Sequence, residues 1–187
     1  MSKIKFGNLP MIYPIPSILV GVVSGGKINY TTLGNCGIVS VEPSVIYISS
    51  VKTHFANKGI KENGVFSINI PSIDLVKELD YCGLVSGNEE DKSDVFESFF
   101  GSTDKAPMIN ACPINLECKV INEVDVFDME LFIGQVLNVY VNQDVMSNGF
   151  PDMKKVNPVI YGMDNMYWDI GKSIGTGFSE GKEYKKV

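Results

Sequence analysis

The sequence predicts a mainly β fold of the α+β class, a barrel-like sheet accompanied by two short helices. Two observations carry that expectation. Apolar or alternating runs recur at short spacing, each closed by Gly, Pro or a polar cluster. Only two segments combine helical apolar spacing with start and stop signals. The chain of 187 residues suits a single domain, 1–187, whose core needs neither disulfides nor a structural metal.

The first element is "SILVGVVS", an apolar run with β-branched residues that ends at Gly25–Gly26 and so reads as a strand and a Gly-rich turn. "KINYTTLGNCGIVSV" is mixed, and "SVIYISS", introduced by Pro43, is a second clear strand. Thr53 is a candidate N-cap and Gly64 a candidate C-terminal stop, which predicts a short helix between them. "VFSINIP" alternates and stops at Pro71, the pattern of a half-buried strand. "SIDLVKELDYCG" opens on Ser72, sets Ile73, Val76 and Leu79 on one helical face, and ends at Gly83. After a polar loop, "INLECKVINEVDV" and "MELFIGQVLNVYV" form two long alternating runs with a few residues between them, a hairpin. The segment around Tyr161 to Trp168 supplies one more short strand before an irregular tail.

A formal charge of −6 argues against a general nucleic-acid binder, which needs a basic face. The N-terminus lacks a signal peptide's apolar run, and no stretch approaches the roughly 18 apolar residues that span a bilayer, so a cytoplasmic location is expected. The four cysteines show no zinc spacing and read as small buried hydrophobes. In "CPINLEC", Cys112 and Cys118 would share one face if the strand were unbroken, although Pro113 opposes that. His54 is the only histidine, which rules out a multi-histidine metal centre. "GKSIGTG" lacks the first Gly of a P-loop and opens no apolar helix, so no nucleotide loop is assigned.

Two polar segments stand out. In "NYTTLGNCG", short donors and acceptors are interleaved with Gly, which suits the polar edge of a flat heteroaromatic ligand and equally suits a self-satisfied edge strand. In "SSVKTHFANKG", hydroxyls, a lysine and a histidine precede a helix N-terminus, an arrangement for a phosphate or for ordinary capping. The run "EEDKSD" has the composition of a solvated loop, and Tyr161, Tyr167 and Trp168 form the densest aromatic group.

In order along the chain, "YPIPSILV", "NYTTLG", "EPSVIYIS", "GVFSINIP", "DLVKELDYCGLVSGNEEDK" and "APMINACPINLECKV", followed by a "GxV" strand ending at Gly134, resemble the flavin reductase-like, FMN-binding split-barrel family, and its flavoredoxin branch in particular. The resemblance implies a homodimeric split β-barrel with short flanking helices, holding non-covalent FMN near the subunit interface. It implies an oxidoreductase or electron carrier, with NAD(P)H or a redox protein as electron donor and no nucleic-acid or membrane partner. By position, Asn29, Thr31 and Thr32, with the backbone of Leu33, Gly34, Asn35 and Cys36, would line the isoalloxazine ring. Ser49, Ser50, Lys52, Thr53 and His54 would hold the phosphate, and Lys92 would stand beside the flavin as a positive charge. Ala56 stands where the family usually carries Ser or Thr, Asn35 where its branch often has an aromatic residue, and Met129 where it often has His. A non-catalytic FMN-binding module, or a split barrel that has lost its cofactor, are the alternatives.

Overall fold

The computed structural model describes residues 1–185. Its body is an antiparallel seven-stranded sheet in the order β2-β1-β5-β6-β7-β4-β3. The strands are β1 (Ile18–Ser24), β2 (Lys27–Leu33), β3 (Cys36–Ser40), β4 (Val45–Val51), β5 (Val65–Ile70), β6 (Ile114–Val126) and β7 (Met129–Val141). Helix α1 (Phe55–Asn63) lies between β4 and β5, and α2 (Val76–Leu84) follows a 3-10 turn, Ile73–Leu75. A small second sheet joins Ile15–Pro16, Ile160–Tyr161 and Tyr167–Trp168. Among the described residues, no helix is long and apolar enough to cross a membrane.

The β1–β2 turn places Gly25 at φ +57° and Gly26 at φ +80°, conformations that glycine adopts without the strain a side chain would bring. β1 is buried along its whole length because two cores sandwich it. Ile18, Val20 and Val22 enter the core inside the curled sheet with Ile48, Phe66, Phe132 and Ile60 of α1. Leu19 faces the other way, into a core with Tyr30, Leu79 of α2, Ile109 and Val159. Covering both faces of the sheet also changes the reading of β5. Its residues alternate in polarity, yet Phe66 to Asn69 are all buried. Asn69 donates to the Leu19 carbonyl at 3.0 Å and accepts from the Ile109 N–H at 2.9 Å, so its polar face is satisfied inside the protein.

Two sequence expectations are adjusted and one is met. α1 begins at Phe55 with His54 at the N-cap position, one residue after Thr53, and Gly64 at φ 66° ends it as expected. As Pro113 suggested, the strand does not run through Cys112: β6 begins at Ile114, and Cys112 joins the outer core and Cys118 the inner one. Near the C-terminus there are two very short strands where one was expected, Ile160–Tyr161 and Tyr167–Trp168, pairing with each other.

The sheet closes incompletely. β2 and β3 are its edges, and β2 hydrogen-bonds to β1 on one side only. Between β2 and β3 the Ser49 N–H reaches the Asn35 carbonyl at 2.7 Å, which draws the β4 side towards the end of β2. The free edge of β2 runs along this split.

Candidate functional site

Two clefts flank the last turn of α2, and both include Gly83 and Leu84. The first is polar. Asn29 and Thr31 of β2 form one wall, Thr53 to Ala56 at the start of α1 another, and Cys82 to Gly87 with Lys92 the third. At the start of α1 the N–H groups of Phe55 and Ala56 have no intrahelical acceptor, while the Asn57 N–H bonds to His54. Ala56 presents its N–H here because its methyl is buried in the inner core.

Lys92 is the cation of this cleft. It is 2% exposed, and its Nζ donates to the carbonyls of Cys82 (3.2 Å) and Val85 (3.0 Å). Among the described residues no carboxylate pairs with it. Burial lowers its pKa below the usual lysine value. His54 is held in place by a 2.9 Å hydrogen bond between its Nδ1 and Ser50 Oγ. Burial, and then the Lys92 charge, push its pKa below the ordinary histidine value, so the imidazole is neutral at physiological pH.

Asn29 lies between these groups. It is 3% exposed, and neither its Oδ1 nor its Nδ2 has a hydrogen-bond partner. A Cβ on Gly87 would come within 2.4 Å of that Oδ1 and 2.6 Å of the Phe55 ring, so only glycine lets the loop after α2 close to this point. A buried amide without partners is costly in a finished protein and is expected where a ligand supplies the missing groups.

The second cleft is aromatic. Tyr161 and Tyr167 lie with ring centroids 5.6 Å apart, and Thr32, Leu33 and Gly34 of β2 complete it. Tyr167 donates to Asp80 Oδ1 at 2.8 Å; burial first, and Asp80 second, push its pKa to about 12, so it stays protonated. Thr32 uses its hydroxyl to cap the Leu79 carbonyl of α2, whereas Thr31 has no side-chain partner among the described residues.

The fold therefore brings Asn29, Thr31, Thr53, His54 and Lys92 into one cleft and Thr32, Leu33 and Gly34 into the adjoining one. Ser50 hydrogen-bonds His54, and the Ser49 N–H bonds to the Asn35 carbonyl at the split. Asn35 is exposed there, while Cys36 packs on the inner core. Lys52 points elsewhere: its ammonium is 3.0 Å from Asp125 on the β6–β7 hairpin. Sequence reasoning missed Phe55 and the wall from Cys82 to Gly87; the signal available was "GLVSG", whose glycines permit that close approach.

Comparison with known proteins decides the family. Residues 11–167 match the flavin reductase like domain. The chain belongs to that family. Flavoredoxin from Methanosarcina acetivorans superposes with a TM-score of 0.95 at 40% identity, covering 97% of this chain and 98% of that one. Flavoredoxin of Desulfovibrio vulgaris (Miyazaki F) superposes with a TM-score of 0.90 at 31% identity, covering 96% and 100%. An uncharacterized protein of Archaeoglobus fulgidus is 32% identical over 175 residues, 92% of this chain and 93% of its own. A flavin-binding redox role and the split-barrel fold follow for this flavin reductase-like protein. The residues present fit such a group: an orphaned amide, an unpaired buried cation and free helix N–H groups share one cleft.

Proposed function

We propose that this protein binds FMN non-covalently and carries electrons with it, drawing them from NAD(P)H or a redox protein. The observation that carries the reading is the polar cleft, where a carboxylate-free ammonium, the N-terminus of α1 and an unpartnered buried amide converge. The phosphate would meet the Phe55 and Ala56 N–H groups, the Thr53 hydroxyl and Lys92. Asn29 and Thr31 would satisfy the polyol and the ring's polar edge, and the free edge of β2 through Cys36 would run beside the ring. Bound FMN supplies the redox chemistry, and the protein supplies position and charge. Neutral His54 adds a hydrogen bond without a second cation beside Lys92.

A homodimer belongs to the same proposal. Edge strand β3 exposes Ile38 at 77% and Val39 at 55%, and the hairpin tip exposes Phe127 at 95%, apolar surface that a second copy would cover. The four cysteines are unpaired thiols, in keeping with a reducing compartment.

The test is the visible spectrum of purified protein loaded with FMN, before and after anaerobic NADH and NADPH. A bound-flavin spectrum bleached by one nucleotide identifies a reductase and its donor. One that bleaches only with a reduced redox protein identifies a carrier. Failure to bind added FMN would overturn the reading.

A further inference from the structure

A third hollow lies on the small sheet, where the start of the chain meets its C-terminal hairpin. It encloses about 480 Å³, and Tyr13, Tyr161, Trp168 and Asp164 line it. It shares only Tyr161 with the aromatic cleft, and none of its lining residues comes from β2 or α2. Backbone pairing assembles it from distant segments. Ile15 pairs with Tyr161, which seats Tyr13 beside the hairpin, and Trp168 pairs with Ile160. The Tyr13 hydroxyl accepts the Met163 N–H at 3.2 Å and ties that ring to the hairpin turn. The turn is tight, with Asn165 at φ 62° and its N–H on the Gly162 carbonyl at 3.0 Å. A Cβ on buried Gly162 would come within 2.3 Å of Asp164 Oδ1 and 3.1 Å of Trp168 Nε1. The carboxylate and the indole therefore meet over bare backbone. Asp164 Oδ1 accepts the Met166 N–H at 3.3 Å, and its other oxygen has no partner among the described residues. No Lys, Arg or His lines the hollow, while Tyr13 and Trp168 stay 52% and 56% exposed.

We infer that this hollow binds a small quaternary ammonium ion. Three aromatic rings and one unneutralised carboxylate are the groups that attract such a cation, the rings through their negative faces and Asp164 through its charge. Alkyl groups on the nitrogen spread its charge over an apolar surface that packs on the rings. A protonated amine with three N–H donors fits worse, because a single free carboxylate oxygen leaves the other donors unmet against the rings. An anion is rejected, since it would face Asp164 with no cation to offset the repulsion, on a chain of formal charge −6. An uncharged apolar group gains the ring contacts but makes no use of Asp164. The site goes beyond the flavin reading and does not depend on it.

Trp168 is the only tryptophan, so its fluorescence reports on the hollow directly. Flavin-free protein is titrated with choline chloride, against sodium chloride to match ionic strength. A parallel titration uses the uncharged carbon isostere of choline, in which a tert-butyl group replaces the trimethylammonium. Choline should change the emission saturably and bind about tenfold more tightly than the isostere. Asp164→Asn keeps the acceptor for the Met166 N–H and should weaken choline about fivefold, with the isostere unchanged. Trp168→Leu, followed by calorimetry, should weaken choline about tenfold. No saturable response to choline, equal affinity for the isostere, or choline binding that both variants leave unchanged would each overturn the inference. None of these measurements involves flavin, so failure of the FMN reading would leave their outcome intact.

Discussion

Two buried polar clusters in this protein are built on opposite plans. Glu117 on β6 is completely buried, and four donors surround its carboxylate: the Ser102 N–H (3.1 Å) and hydroxyl (2.7 Å), the Thr103 N–H (2.7 Å) and the Asn138 amide (2.8 Å). Nothing is left over for a ligand, and the cluster ties the loop before β6 to the sheet. In the polar cleft the balance is reversed. Asn29 has no partner, Lys92 has carbonyls but no carboxylate, and two N–H groups of α1 stay free. Saturation marks the cluster that serves the fold, and deficit is what the proposed flavin site would need a ligand to fill.

The largest effect belongs to the saturated cluster. Glu117→Ala removes the buried charged acceptor of four hydrogen bonds and should lower unfolding stability by about 3 kcal/mol in urea melts, leaving the flavin titration of the folded fraction unchanged. The pH dependence follows from the carboxyl itself. Burial raises its pKa, and the hydrogen bonds from Asn138, Ser102 and Thr103 more than offset that and hold it below the ordinary value. A depressed folded pKa stabilises above the unfolded value, near 4.3, and the contribution is lost as pH falls through the folded value. Wild type should therefore lose more stability than Glu117→Gln between about pH 5 and pH 3. Equal losses would place the carboxylate's charge outside the stability balance.

Next comes Lys92→Met, which keeps the apolar stem and removes the charge. FMN affinity should fall by about 2 kcal/mol, roughly thirtyfold, with riboflavin affected far less, since only FMN carries the phosphate. An equal loss for both flavins would indicate a damaged cleft wall in place of a lost anion contact. Asn29→Leu sharpens the comparison from the other side. Replacing an unpartnered amide by an apolar group of similar size should raise the stability of flavin-free protein by about 1 kcal/mol while weakening FMN. Lower stability in that variant would mean that Asn29 is already satisfied without a ligand.

The sheet was legible because its signals are local. The hairpin of β6 and β7 starts and stops where the alternating runs do, since period-two patterning and turn residues act over a few positions. The site was legible in part. Asn29, Thr31, Thr53 and His54 lie on segments whose composition admitted a ligand alongside a self-satisfied strand or ordinary capping. Lys92 did not stand out from residues alone. It sits in "EEDKSD", a run that reads as solvated, yet the chain folds it under the end of α2, where its Nζ finds two carbonyls. The expectation that it stands beside a flavin came only from the family resemblance. The aromatic cleft was divided among four distant segments, with Ser17 ahead of β1, Thr32 to Gly34 at the end of β2, Asp80 on α2 and Tyr161 to Tyr167 near the C-terminus. No spacing rule connects such residues; only tertiary packing does.

The smallest predicted effect separates two lysines to which the sequence assigns different roles, Lys52 at the phosphate and Lys92 beside the flavin. Lys52 precedes α1 and has the neighbours of a phosphate ligand. Its backbone N–H bonds to the Asp128 carbonyl at 2.9 Å, and its ammonium pairs with Asp125, a contact in which both side chains remain partly open to water. Such a pair contributes at most about 0.5 kcal/mol, screened further by salt. Lys52→Ala should accordingly leave FMN affinity within about twofold of wild type and stability within about 0.5 kcal/mol. A loss for FMN approaching that of Lys92→Met, with riboflavin spared, would show that Lys52 abandons Asp125 for the phosphate once the cofactor binds. The anion site would then be completed by the ligand from a surface residue, in contrast to the buried charge that Lys92 already holds in place.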